Sequence, residues 1–449
     1  MSDIIKHASN SSSEYFSSLP KASFEGEESH NDFAYRYYDK DRMIMGKRME
    51  DQLRLSVCFW HTFCWDGSDV FGAGGFNRPW HAETDGKTAA RQKREAAFDL
   101  FNVLDLPFYS FHDVDVMAPA DTAQEHVANL NEAAEHLEEL MAQSGRKLLW
   151  GTANNFSHPR YMAGASTNPN PEVAAFAGLQ VREALNATHR LGGDNYVLWG
   201  GREGYDTILN TNIGQELDQL GKFLALVVEH KHKIGFTGDI LIEPKPHEPT
   251  KHQYDSTVQT VHAFLQRYGL DKEVRVNIEA NHATLAGLSF EHEVDMAFAL
   301  DIFGSLDLNR GDPQNGWDTD QFPNDMREIT MVLKSILSAG GMQKGGMNFD
   351  AKVRRQSISA EDVAQAHIGA VDLMARALLN AEAMIKDGRL DQFKEQRYAG
   401  WKDGIGAKMM AGEVDLDEVA DFALTANHAP TPVSGRQEWL ENVVTQLVK

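Results

Sequence analysis

Cysteine is nearly absent: the 449-residue chain has two, Cys58 and Cys64. Their spacing fits neither a CxxC pair nor a zinc pattern, and so few thiols exclude a disulfide framework. Both are expected to be buried, reduced thiols in or near one strand. Basic residues are also scarce, with 43 Lys and Arg against 66 Asp and Glu and a net charge of −23. That balance argues against a nucleic-acid partner, whose phosphates need clustered cations, and against an anionic membrane surface. No run approaches the roughly 20 apolar residues of a membrane span. The first residues lack the apolar core of a signal peptide, so a cytoplasmic protein is expected. Chemical motifs are missing as well. Gly72–Gly75 is not a dinucleotide fingerprint, the glycines of 340–346 precede no Lys-Ser/Thr, and no GxSxG occurs.

What is present is an alternation. With 42% hydrophobic residues the chain can bury a large core. Short apolar runs suggest strands at Arg54–Trp60, Pro107–Asp113, Lys147–Thr152, Tyr196–Gly200, Gly238–Glu243, Val274–Glu279, Phe303–Asp307 and Gly346–Phe349. Between them, apolar residues at three- and four-residue spacing indicate helices at Thr88–Val103, Asp121–Ser144, Pro171–Arg190, Thr207–Lys231, Ser256–Tyr268, Thr284–Leu300 and Pro323–Ala339. Strands each followed by a helix point to a (β/α)8 TIM barrel, over residues 51–385. An open doubly wound sheet would gather its polar strand ends at one switch point, and here most strands end in ligand-type residues. Residues 1–50 are polar and irregular, with a short serine run at 11–13, and are expected as an N-terminal extension. Residues 386–449 hold helical patterns and few strand signals, which fits a C-terminal helical arm better than a second globular domain.

The strand ends carry the chemistry. Phe108–Asp115 is an aromatic run that stops in His112, Asp113 and Asp115. Other runs end in Glu243 followed by Lys245, in Glu279 followed by His282, and in Asp307 and Asp350. In a barrel these ends ring one mouth. Carboxylates gathered there repel one another unless a divalent cation neutralises them. Oxygen-rich ligation with one imidazole favours Mg²⁺, Mn²⁺ or Co²⁺ over tetrahedral zinc, so two cations per subunit are expected. Glu279 can bridge two ions, with His282, Asp318 and Asp320 completing the second. Plainer readings stay open: Asp318 and Asp320 as caps of the helix near Pro323, Lys245 as a surface lysine, Glu279 and His282 as a helix-start pair. His112 and Asp115 suit an acid/base pair. Trp60, Trp65, Trp150, Phe156 and Trp199 lie at or near strand ends, where they are core or the wall of a sugar pocket.

Taken in order, these motifs resemble xylose isomerase of the longer, class II type. The match includes His112 and Asp115, Val197–Trp199 before Gly-Gly-Arg-Glu-Gly, Glu243-Pro-Lys245-Pro, Glu279-Ala-Asn-His282, Asp307, Asp318-Thr-Asp320 and Asp350. The resemblance implies interconversion of D-xylose and D-xylulose, and more slowly of D-glucose and D-fructose. It implies ring opening assisted by His112 and Asp115, then a metal-assisted hydride shift from C2 to C1 with Lys245 near O1. It assigns Glu243, Glu279, Asp307 and Asp350 to one ion and Glu279, His282, Asp318 and Asp320 to the other. Trp150 and Val197 match pocket walls that tune pentose against hexose, and Phe71 matches a residue that reaches into a partner's site. A homotetramer is implied. Competing readings are an isomerase for another sugar, a metal-dependent phosphodiesterase or DNA-repair barrel, and a sugar-binding barrel without catalysis.

Overall fold

A computed structural model describes residues 14–426 and 429–449. The serine run at 11–13 lies outside the described residues. Eight parallel strands close into a barrel. They are β1 (Leu55–Cys58), β2 (Phe108–His112), β3 (Lys147–Thr152), β4 (Asn195–Trp199), β5 (Asp239–Glu243), β6 (Val274–Glu279), β7 (Phe303–Asp307) and β8 (Met347–Phe349). The closing pair sets Met347, Asn348 and Phe349 opposite Leu55, Ser56 and Val57. These eight strands form no open doubly wound sheet, because closure consumes both edges.

Each strand is covered outside by a helix: α1 (Gly86–Leu104), α2 (Ala123–Ser144), α3 (Pro171–Arg190), α4 (Ile213–Ile234), α5 (Val258–Tyr268), α6 (Phe290–Ala299), α7 (Met326–Ser338) and α8 (Ala360–Asp387). The strands are buried on both faces, hence their unbroken apolar runs. Tyr109, Phe111, Ile240, Val276 and Leu306 are fully buried among the strands. Burying one such side chain contributes about 1.5–3 kcal/mol. Period two then gives the inner face its own content: Ser110 and His112, Leu241 and Glu243, Asn277 and Glu279, Ser305 and Asp307, Asn348 and Asp350. Phe108, Leu149, Trp150, Val197 and Leu241 form an apolar plug inside the barrel.

Two local departures from the sequence reading matter. β1 stops at Cys58, and the chain turns into one π-helical turn over Trp60–Cys64, so Trp60 is not in the strand. The helix expected over Thr284–Leu300 is two helices, Ala280–Leu285 and α6. Gly287 adopts φ +74 between them, a backbone state that glycine reaches without a Cβ clash, and Ser289 restarts the chain as N-cap by accepting from His292 N. The chain before β1 docks on the barrel. One Asp372 carboxylate on α8 accepts from the backbone N–H groups of Arg36, Tyr37 and Tyr38 at 2.7, 2.9 and 3.1 Å. After α8 come α9 (Arg389–Arg397), α10 (Gly404–Ala411), α11 (Leu416–Ala426) and α12 (Gln437–Leu447). Val443 and Val444 of α12 return to pack on Met384 and Leu390. Among the described residues no helix is long and apolar enough to cross a membrane, and both cysteines are free.

Candidate active site and metal centre

Parallel strands point their carboxyl ends the same way, so the polar residues that end them meet at one mouth. Ligand oxygens and nitrogens fall into three groups within 4.8 Å: Glu243, Asp307 and Asp350; Glu279, Asp318 and Asp320; and Glu243, Glu279 and His282. His282 lies in the first turn of the short helix after β6, its Nε2 2.9 Å from Glu279 and 3.2 Å from Asp318, its Nδ1 3.4 Å from Glu243. Lys245, two residues past the end of β5, is buried and donates from Nζ to Asp318 Oδ2. Glu279 and His282 do begin the short helix Ala280–Leu285, but both are buried at the mouth; the other plainer readings do not hold. Asp325, not Asp318 or Asp320, caps α7; Lys245 and His282 are buried rather than surface groups.

Across the mouth, His112 ends β2. Its Nδ1 lies 3.0 Å from Asp115 Oδ2, and its backbone N–H donates to the same oxygen at 2.8 Å. The Nδ1 side of the ring is thus occupied by the carboxylate, and Nε2 is the nitrogen turned away from it. Asp113 faces the other way and fixes the turn, accepting from Asn154 N at 2.8 Å and Gln180 Nε2 at 2.9 Å. A cavity of about 530 Å³ joins the two sides, with walls that include Trp60, Trp150, Phe156, Val197 and Trp199. Trp60 packs edge-on to His112 at 4.6 Å and Phe156 at 5.5 Å.

The chain is 61% identical over 437 residues to the xylose isomerase of Novosphingobium aromaticivorans, covering 97% of this chain and 100% of that protein. It is 59% identical to that of Solibacter usitatus (96% of this chain, 98% of that protein) and 58% identical to that of Paraburkholderia phymatum (97% and 98%). The chain belongs to the xylose isomerase family. Its residues 394–448 also match the XylA2 C-terminal domain. Among the family-type positions, Phe71 stands apart. It is 77% exposed, stacks on Trp317 at 5.5 Å, and does not line this chain's cavity.

Electrostatics divide the carboxylates. Burial, then mutual repulsion, pushes Glu243, Glu279 and Asp307 well above the usual carboxylate range. Burial also opposes ionisation of Asp318 and Asp350, but there it is outweighed. Lys245 and His282 hold Asp318 well below its ordinary value, and His61 with Trp60 lowers Asp350. Residues that repel in this way suit divalent cations. The donor set fits: hard oxygens, one imidazole, and a buried His282 Nδ1 without a hydrogen-bond partner.

Sequence reasoning missed the groups that orient these ligands. Asn277 Nδ2 donates to Glu243 at 3.0 Å and Asp307 at 2.8 Å, and Asn348 Nδ2 donates to Asp307 at 2.9 Å. Asn309 Nδ2 donates to Glu279 at 2.7 Å and Asp320 at 3.2 Å. His61 Nε2 sits 3.0 Å from Asp350 and 3.2 Å from Asp320, and Lys352 Nζ donates to Asp320 at 2.9 Å. Such partners fix ligand orientation around a metal. A period-two reading of β6 and β8 would have found Asn277 and Asn348, each two residues before an acid. Nothing in the local sequence marks His61, since its position depends on the turn after β1.

Proposed function

We propose that this chain interconverts D-xylose and D-xylulose, and more slowly D-glucose and D-fructose, using two divalent cations of the Mg²⁺, Mn²⁺ or Co²⁺ type. The observation that carries the reading is the convergence of Glu243, Glu279, His282, Asp318, Asp320 and Asp350 beside Lys245 and the His112–Asp115 pair in one aromatic-walled cavity, with buried Asp307 grouped against Glu243 and Asp350. Family membership supports it. Glu243, Glu279, Asp307 and Asp350 would hold one ion, and Glu279, His282, Asp318 and Asp320 the other. Bound cations would polarise the sugar's oxygens and lower the pKa of hydroxyl groups or water placed on them.

The chain's own residues do the rest. His112 Nε2 takes the proton of the anomeric hydroxyl as the C1–ring oxygen bond breaks and hands that proton on to the ring oxygen. Asp115 keeps the imidazole in that tautomer. The O2 proton then passes to a water beside Asp318, C2 passes its hydrogen with the bonding pair to C1 and becomes the carbonyl, and the same proton returns to O1. Lys245 faces the charge that collects on O1. Asp318, Glu279 and Asp320 keep its ammonium protonated although burial opposes that charge. Trp60, Trp150, Phe156, Val197 and Trp199 exclude water and offer flat apolar faces to the sugar. The arm would join subunits into a homotetramer. Tyr398, Trp401, Met410, Leu416 and Phe422 are exposed along it in the single chain, which supports that use. Phe71 would then serve a neighbouring site.

The test is xylulose formation from D-xylose by metal-stripped protein, with and without each cation. Activity restored by a cation is expected. Tight metal binding without isomerisation of either sugar would move the assignment to another sugar or to a binding protein.

A further inference from the structure

Behind the active-site wall lies a second, smaller cavity of about 60 Å³. Its lining is mostly apolar, with Leu198, Phe223, Ile242 and Phe264 among the contributors. Three polar atoms on its walls are nevertheless buried without a hydrogen-bond partner: Asn155 Oδ1, Trp199 Nε1 and Asp255 Oδ1. A buried polar atom left unsatisfied is costly, because it has given up its hydrogen bonds to water for nothing. Three in one small chamber need a common explanation. The chamber is large enough for water, which requires on the order of 10–15 Å³ and two to four polar partners. Glu203, which also lines it, is already used, accepting from Ser166 N at 2.7 Å and Ser166 Oγ at 2.8 Å, and from Thr167.

Trp199 is the one described residue lining both this chamber and the sugar cavity. On the sugar side its ring stands 5.1 Å from Lys245 Nζ, 4.4 Å from the Phe156 ring and 6.5 Å from His282. Asp255 reaches the same region by its backbone, since its carbonyl accepts from Lys245 N at 3.0 Å. We propose that Asp255 is a positioning residue: through water held in the chamber, its carboxyl group and Asn155 fix the Trp199 indole N–H, and with it the wall that Lys245 and the sugar face. Burial, the largest effect, together with Glu203 pushes the Asp255 carboxyl up to about 8 against the opposing pull of His282 and Lys245. Water in the chamber can accept from the indole N–H and donate to the Asn155 carbonyl, and the Asp255 carboxyl can either donate to that water or accept from it.

The test compares Asp255→Ala and Asp255→Asn in the full chain, each with and without Trp199→Phe. Tryptophan emission and its acrylamide quenching are read without substrate. Asp255→Ala should shift emission, and the shift should vanish in the Trp199→Phe background. Asp255→Asn, which keeps a donor and an acceptor, should restore the emission. With D-xylose, Asp255→Ala should raise KM about tenfold with kcat nearly unchanged, an effect in scale with a small misplacement of a substrate-facing group. This kinetic arm rests on the function proposed above. If the unmutated protein leaves xylose unchanged, that reading fails while the emission arm still decides this one. If Asp255→Ala does not fold, Asn155→Leu replaces it with the same expected shift. No Trp199-dependent change in a folded variant, or Asp255→Asn as impaired as Asp255→Ala, overturns the proposal.

Discussion

Replacing Asn277 by Leu removes the amide under the first carboxylate group while keeping a similar volume. The side chain is fully buried, and its Nδ2 serves Glu243 and Asp307 together. Hydrogen bonds to charged groups contribute about 1.5–3 kcal/mol each. Part of that loss is offset, because Asn277 Oδ1 has no partner and its removal relieves a buried unsatisfied oxygen worth about 1–3 kcal/mol. The balance remains a loss, and removal of a ligand-orienting partner typically weakens a metal site 10–100-fold, about 1.4–2.7 kcal/mol, here at a cation held by Glu243, Asp307 and Asp350. Asn277 touches none of Asp318, Asp320 or His282, so the second group should change less than about threefold. Titration calorimetry of metal-stripped protein with Mn²⁺ would resolve two classes of site. Loss in one class alone is expected. Equal weakening of both classes, or of neither, would refute the claim that this amide orients one ligand set.

Three further outcomes follow from the same geometry. Lys245→Met leaves Asp318 buried without its ammonium, so kcat on D-xylose should fall about 10²–10³-fold, and the metal-free protein should lose about 3–5 kcal/mol of stability in urea. Trp150→Phe thins a fully buried wall packed 5.3 Å from Trp60, and should raise the glucose-to-xylose ratio of kcat/KM by up to roughly tenfold; an unchanged ratio would remove Trp150 from the pocket wall. His367 lies in the core between Phe322 and Phe349, and burial depresses it from 6.5 to about 4. The unfolded chain therefore binds a proton that the native state refuses, and stability drains as pH falls from 6.5 towards 4. At about 1.4 kcal/mol per pH unit this amounts to about 3 kcal/mol, and His367→Met should flatten that part of the stability–pH curve.

The strands were legible because a parallel barrel buries both strand faces, so each strand is an apolar run and its end is marked by the first hard polar residue. Glu243, Glu279 and Asp307 each close a strand, and that is why ligands and strand ends could be read together. The helices were legible from their periodicity, except where Gly287 and Ser289 divide one pattern into two. His61 was not legible for a different reason. Its place follows from the π-helical turn after β1, and that turn is set by packing of Phe59 and Phe63 against Phe101, residues remote in sequence. Trp199 was read only as a wall, because its second, chamber-side role depends on Asp255 returning from the loop after β5.

The site's charge arrangement makes a sign prediction that separates a metal centre from an ordinary acidic cleft. Glu243 is pushed up by burial and by Glu279 and Asp350, with His282 opposing. In the metal-free protein its carboxylate is therefore a liability, and Glu243→Gln should stabilise the fold, since the amide keeps the shape and removes the repulsion. With cation present the order should reverse. A site occupied at a hundred times its dissociation constant adds about 2.7 kcal/mol, and the variant gives up part of that gain by losing a charged ligand. Melting of both proteins, stripped and then loaded with Mn²⁺, reads the crossing directly. Glu243→Gln more stable than the parent in both states would mean that the carboxylate never served a cation. Glu243→Gln less stable in both would mean that His282, rather than any ion, already compensates the Glu243 charge at the mouth.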